Sequence, residues 1–224
     1  MLQFKIFEPY GLRMTHGVTW KNQGSFNDEF ADFAHSAERL SKALKLKNPI
    51  TAQQIHTDKI VRLEKEPMER LECDAFITNK ADLNLMVKVA DCQGLIIYDP
   101  ATHTVAAVHS GWKGSAANII GKTVARMVSE YGVKPIDLVA GISPSLGSCC
   151  AEFTDPEKEL PAFCKPFTKD KKVDFWSLSM KQLKDAGLLV RNIEVAAICT
   201  KCDVNTFSHR RKENGRMGVF VQLK

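Results

Sequence analysis

Apolar and polar positions change period several times along this chain, and each change predicts an element. Over residues 27–46, Phe30, Phe33, Ala34, Ala37, Leu40 and Leu44 recur at helical spacing, so a helix is expected with Asn27 as its N-cap. Residues 115–131 carry a second stripe, Ala116, Ile119, Ile120, Val124, Met127, Val128 and Tyr131. Gly132 follows as a suitable left-handed stop. A third helix is expected over 175–186, with Trp176, Met180 and Leu183 inward and Gly187 ending it.

Strands are expected at 4–7, 51–55, 59–63, 83–89, 95–98, 104–108, 136–142, 193–198 and 217–223, from alternating or continuous apolar runs. Asp99-Pro100-Ala101-Thr102-His103 reads as a hairpin loop, which makes 95–98 and 104–108 antiparallel neighbours. Strands outnumber helices and hairpin-like links occur. The expected fold class is therefore α+β, one layered domain over residues 1–224 with mixed sheets flanked by helices.

Composition changes this picture little. The chain has 224 residues, 44% hydrophobic and 25% charged, enough for a substantial core. Its net charge of +5 is mild and partly local, in Lys169-Asp170-Lys171-Lys172 and Arg210-Arg211-Lys212. No basic stripe carries interleaved aromatics, so no nucleic-acid partner is expected; a basic mouth for a phosphate is the better use of that charge. No apolar h-region opens the chain and no run approaches a membrane span, so a cytoplasmic protein with no membrane partner is expected. Seven cysteines without small-domain spacing argue for reduced thiols rather than a disulfide framework.

Three residues draw attention to metal chemistry. His56, Cys92 and His109 have the composition of a catalytic zinc site, which takes three protein ligands and leaves one position open. Cys92 lies in Ala90-Asp91-Cys92-Gln93-Gly94, a polar notch between two apolar runs; the plainer alternative is a buried structural thiol. If 95–98 and 104–108 form the hairpin, Cys92 before the first strand and His109 after the second lie at the same end of the ladder. Spacing does not place His56 near them, and a loop histidine bonded to backbone is its alternative reading. Asp74 is either an orienting or basic carboxylate or simply a turn residue. Asp91 is a second candidate to orient a ligand's ring.

Gly111-Trp112-Lys113-Gly114 stands between a strand and a helix. Its glycines permit close backbone approach, Lys113 and N–H groups near Gly114 suit an anion, and Trp112 offers a stacking face or core packing. Arg210 lies in a cationic loop, where its fork suits a phosphate or carboxylate. His103 reads as an exposed loop residue, and His16 and His35 have weak claims. Cys199-Thr200-Lys201-Cys202 is a lone Cys-x-x-Cys, weak for structural zinc without a second pair.

Several separated segments together resemble one family. They are Gln54-Ile55-His56, Cys73-Asp74-Ala75, Ala90-Asp91-Cys92, the run Ala106 through Gly114, the run Gly141 through Gly147, Cys199-Thr200, and Phe207-Ser208-His209-Arg210-Arg211 with Gly215-Arg216. In this order they resemble the YfiH-like, or laccase-domain, family, also described as multicopper polyphenol oxidase-like and as purine nucleoside phosphorylases. The resemblance implies a YfiH-like fold and a metal, usually zinc, on His56, Cys92 and His109. It implies phosphorolysis of adenosine, inosine, guanosine and methylthioadenosine, with adenosine deamination in the same site. Copper-dependent phenol oxidation and peptidoglycan-precursor editing are the alternative activities it carries. Catalytic roles then fall to His56, Cys92, His109 and Asp74, and substrate or phosphate binding to Lys113, Arg210, Gly114 and Trp112. The expected partners are a purine nucleoside and phosphate, with the chain a monomer or weak homo-oligomer.

The chain departs from the family pattern at four places. Lys113 stands where Arg is usual, which keeps the charge but loses the fork. Ser110 replaces a more frequent Ala, Ala151 lies where an aromatic is expected nearby, and the loop over 17–27 is short.

Overall fold

The runs that lack alternation turn out to be strands buried on both faces. A computed structural model describes residues 1–224. Gln93–Asp99 and Thr104–Ser110 form the predicted hairpin, antiparallel, with Gly94 opposite His109 and Leu95 opposite Val108. They are the middle of a six-stranded sheet in the order Ile193–Val195, Val139–Ile142, Gln93–Asp99, Thr104–Ser110, Ala75–Thr78, Ile60–Arg62. A four-stranded sheet runs Met14–Val18, Met217–Leu223, Asn84–Val89, Pro49–Ile50.

Period-two alternation then decides which layer each side chain enters. Ile96, Tyr98, Val105 and Ala107 meet Leu85, Val87, Val219 and Val221 between the two sheets. Leu95, Ile97, Ala106 and Val108 point the other way, onto Ile119, Ile120, Val124 and Met127 of the helix Ile119–Tyr131 and onto Leu183 of the helix Phe175–Asp185. Met86 and Phe220 leave the outer face of the smaller sheet to pack on Leu40 of the helix Asp32–Leu44. The result is an α+β stack of helix, sheet, sheet and helices, as the pattern predicted.

Several expected elements need correction. Residues 4–7 are not a strand: a 3₁₀ helix covers Lys5–Tyr10. Phe4 and Phe7 are both fully buried, and three-residue spacing puts them on one side of a 3₁₀ turn but on opposite faces of a strand. The first helix starts at Asp32, not after Asn27. Asn27 instead donates to the Asn214 carbonyl at 2.9 Å, and Phe30 is half exposed. The helix expected over 115–131 is two helices, Trp112–Ala116 and Ile119–Tyr131. Asn118 breaks them by turning left-handed (φ 57°), and its side chain accepts the Gly121 N–H to cap the second. Over 136–142, a 3₁₀ turn at Pro135–Asp137 precedes the shorter strand Val139–Ile142. Residues 51–55 reduce to the two-residue strand Ala52–Gln53. Ala75–Thr78 was not expected; its four buried residues offer no period.

Candidate metal centre and substrate cleft

The hairpin register carries two candidate ligands to one place. Because Gly94 faces His109, Cys92 lies just beyond the end of the ladder at which His109 stands. Asp91 turns the chain there with φ 85°. His56 arrives from a separate path. Ala52–Gln53 pairs in parallel with Leu71–Glu72, so the chains leaving both strands run side by side to His56 and Asp74. The ligating atoms of His56, Cys92 and His109 lie within 4.8 Å of one another.

Asp74 organises this meeting. It is 1% exposed, and its carboxylate accepts four bonds. Oδ1 takes the His56 N–H at 3.0 Å and His109 Nδ1 at 2.8 Å. Oδ2 takes the Thr57 N–H at 2.7 Å and its hydroxyl at 3.0 Å. The Asp74 carbonyl also accepts the His109 N–H at 2.7 Å. These bonds hold His56 in a left-handed conformation (φ 57°), rare for a residue with a side chain. Burial alone would raise the Asp74 carboxyl, but the His109 and Thr57 donors hold it below its ordinary value.

The three side chains also set one another's charge. Burial opposes ionisation of Cys92, yet the adjoining His109 and His56 bring its thiol down to about 6. Burial opposes protonation of His109 too, and there the Cys92 sulfur and Asp74 win, raising the ring to about 9. A thiolate beside two imidazoles, one fixed through its far nitrogen by a carboxylate, is a donor set suited to zinc. Gly111 adds a steric test. A Cβ there would lie 3.0 Å from Cys92 Sγ and 3.0 Å from His56 Nδ1, so its backbone must approach where a side chain would intrude.

His56, Cys92 and His109 open into a cleft of about 700 Å³, within the range of small-molecule sites. Trp112, Phe153 and Phe175 form one wall, with successive ring centroids 6.1 and 5.9 Å apart. Trp112 is therefore a cleft residue and not core packing. Lys113, Arg210 and Arg216 bring positive charge to the same cleft, which His209 also lines. Gly114 does not line it; a Cβ there would lie 3.3 Å from Ile119 Cγ2 and 3.4 Å from the Thr57 carbonyl oxygen.

Other expectations are revised. Asp91 orients no ligand ring: its carboxylate accepts the Thr200 hydroxyl at 2.6 Å and the Arg210 N–H at 2.7 Å. His103 is not an idle exposed residue; its Nδ1 bonds the Tyr98 hydroxyl at 3.1 Å. His16 is buried in the core and accepts the Phe4 N–H. The sequence pattern did not point to another part of the cleft lining, where buried Lys88 pairs with Asp28 at 2.5 Å and Arg70 reaches Asp28 at 3.2 Å. Lys88 is the one charged residue in the strand Asn84–Val89, and that was the available signal.

Residues 19–224 match the multi-copper polyphenol oxidoreductase laccase family. The chain belongs to that family. Among the laccase-family relatives, a purine nucleoside phosphorylase of Clostridium acetobutylicum is 33% identical over 92% of this chain and 90% of its own. Another purine nucleoside phosphorylase, from Aquifex aeolicus, is 33% identical over 76% of this chain and 80% of its own. The Bacillus licheniformis protein YfiH superposes with a TM-score of 0.86 at 27% identity, covering 97% of this chain and 95% of that one. YlmD of Geobacillus stearothermophilus gives the same TM-score of 0.86 at 22% identity, which speaks for the laccase-family fold alone. No helix of this laccase-family chain is long and apolar enough to cross a membrane.

Proposed function

We propose that this chain is a zinc-dependent purine nucleoside phosphorylase acting on adenosine, inosine, guanosine and methylthioadenosine, with adenosine deamination in the same cleft. The observation that carries the reading is the cleft itself. It sets an aromatic wall of mutually inclined rings beside a His-Cys-His donor set and a cationic rim, in a chain whose relatives bear the phosphorylase name.

A purine ring packs against the Trp112, Phe153 and Phe175 wall, whose successive planes lie 84° and 50° apart, so it meets one ring by its face and its neighbours by their edges. Lys113 and Arg210 balance the charge of inorganic phosphate. Phosphorolysis then forms a bond from a phosphate oxygen to C1′ and breaks the bond from C1′ to the purine nitrogen, which leaves with a proton. His56, Cys92 and His109 would hold the zinc ion, which would supply Lewis acidity when bound. Asp74 acts as a positioning residue: its four lone-pair sites are taken and its carboxyl is held ionised, so it fixes His109 and His56. Copper-dependent phenol oxidation is the weaker reading. Multicopper chemistry draws on a rich histidine set, and of six histidines His16 and His103 are occupied by structural bonds.

The test is base release from adenosine, inosine and methylthioadenosine, with and without phosphate, using metal-quantified wild type and Cys92→Ala. Phosphate-dependent release that disappears in Cys92→Ala is expected. Neither base nor ammonia from zinc-loaded protein would sink the proposal and favour peptidoglycan-precursor editing.

A further inference from the structure

The lone Cys-x-x-Cys of the sequence acquires a second pair in the fold. The bridge between Ser145 and Cys199 brings the turn after Gly147 against the loop after Val195. Cys149 and Cys150 thereby meet Cys199 and Cys202, and all four sulfurs lie within 4.8 Å of one another. We propose that these four cysteines form a second metal site, a tetrathiolate centre for zinc or a like thiophilic divalent ion, separate from the His-Cys-His set.

The sulfur spacing supports this. Cys202 Sγ lies 3.6 Å from Cys150 Sγ and 3.8 Å from Cys149 Sγ. Zinc–sulfur bonds of about 2.3 Å in a tetrahedron place neighbouring sulfurs about 3.8 Å apart. A disulfide would need about 2.05 Å. The backbone supports the grouping as well. The Cys202 N–H donates to the Cys199 carbonyl at 3.1 Å, which holds the Cys-x-x-Cys in one turn. Gly147 lets the two segments close up, since a Cβ there would lie 3.1 Å from that of Cys199. A second Cys pair is what separates a tetrahedral structural site from an isolated Cys-x-x-Cys.

The centre has a definite place in the architecture. It ties the 147–151 turn to the 199–203 loop, and both lead into the cleft. Thr200 donates to Asp91, next to Cys92. Arg210 donates to the Glu152 carbonyl at 2.7 Å, while Arg211 donates to the Lys201 and Asp203 carbonyls at 2.9 and 3.0 Å. The ion is thus a staple, with no open position and no contact with substrate, that holds the cationic loop against the notch carrying Cys92.

The experiment is metal stoichiometry on protein purified under reducing conditions with zinc present. Wild type is expected to hold about two ions per chain, and Cys92→Ala about one. Cobalt substituted into Cys92→Ala should give the charge-transfer and ligand-field bands of a tetrahedral thiolate site. Those bands should vanish in the added Cys149→Ser and Cys202→Ser background. The Cys92→Ala arm leaves the cluster intact, so it reads the site even if the cluster variants do not fold. No ion in folded Cys92→Ala, or no thiolate cobalt spectrum, overturns the proposal. An intact mass short of two hydrogens per bridged pair, marking disulfides in place of thiols, overturns it too. Base release is not read, so failure here is distinct from failure of the phosphorylase reading.

Discussion

His109 donates through Nδ1 to Asp74 Oδ1 across 2.8 Å, and this one bond selects which nitrogen of His109 serves the site. With Nδ1 committed, Nε2 is the nitrogen left to face Cys92 and an ion. The same carboxylate grips the His56 and Thr57 backbone, so ring tautomer and loop conformation share one support.

Asp74→Asn tests that support. The amide keeps the shape but turns one acceptor oxygen into a donor facing donors. Metal affinity is expected to fall about 10–100-fold, as for other outer partners of ligating histidines. Stability should fall by about 1–3 kcal/mol, because buried N–H groups lose their acceptor. Chelator competition and urea midpoints read the two effects. Unchanged zinc affinity would remove Asp74 from the positioning role.

Gly111→Ala separates sterics from backbone strain. Gly111 has φ −76° and ψ 176°, a conformation open to alanine. The added methyl carbon would sit 3.0 Å from both Cys92 Sγ and His56 Nδ1, nearer than ordinary contact. The variant should fold and bind zinc at least tenfold more weakly, by about 1.4 kcal/mol. Wild-type affinity in a folded Gly111→Ala would mean that the ligands have slack there.

The hairpin is where sequence reasoning reached furthest. A turn signal at Asp99-Pro100 and two apolar runs were enough to put Cys92 and His109 at one end of a ladder, because antiparallel geometry leaves no choice. Met217–Leu223 appears residue for residue as its pattern predicts. His56 was out of reach of spacing. Its approach depends on the pairing of two two-residue strands and on an aspartate 18 residues away. Lys88 and the cysteine cluster eluded the reading for the same reason: long-range packing, not local period, creates their surroundings. Residues 4–7 failed differently, since a four-residue, mostly apolar window fits a strand and a 3₁₀ turn equally well.

Cys92 offers a spectroscopic and chemical handle in metal-free protein. Its thiol is brought down to about 6 by the neighbouring imidazoles against the opposing effect of burial. A depressed thiol is ionised above its folded value and protonated below it. Iodoacetamide labelling of Cys92 should therefore persist from pH 8 down to near 6 and fade below, monitored by peptide mass mapping. Zinc should suppress it throughout. Labelling that fades near pH 9 would show that His109 and His56 do not stabilise the thiolate.

His16 predicts the acid limb of the stability curve. It is 7% exposed, and its Nε2 accepts the Phe4 N–H at 3.1 Å, a bond that protonation of that nitrogen would break. Burial pushes the ring down to about 4, whereas in the unfolded chain it titrates near the ordinary 6.5. Between those values the unfolded state binds the extra proton. Stability therefore rises with pH across this window and is lost as pH falls from 6.5 toward 4, by about 3 kcal/mol at full effect. His16→Gln retains an acceptor for Phe4 and has no charge to gain. With chelator present in both samples, urea unfolding should find the variant less stable than wild type near neutrality. That difference should shrink, or reverse, toward pH 4. A difference constant across the range would mean that His16 does not change protonation on unfolding, and that the acid sensitivity of this core lies elsewhere.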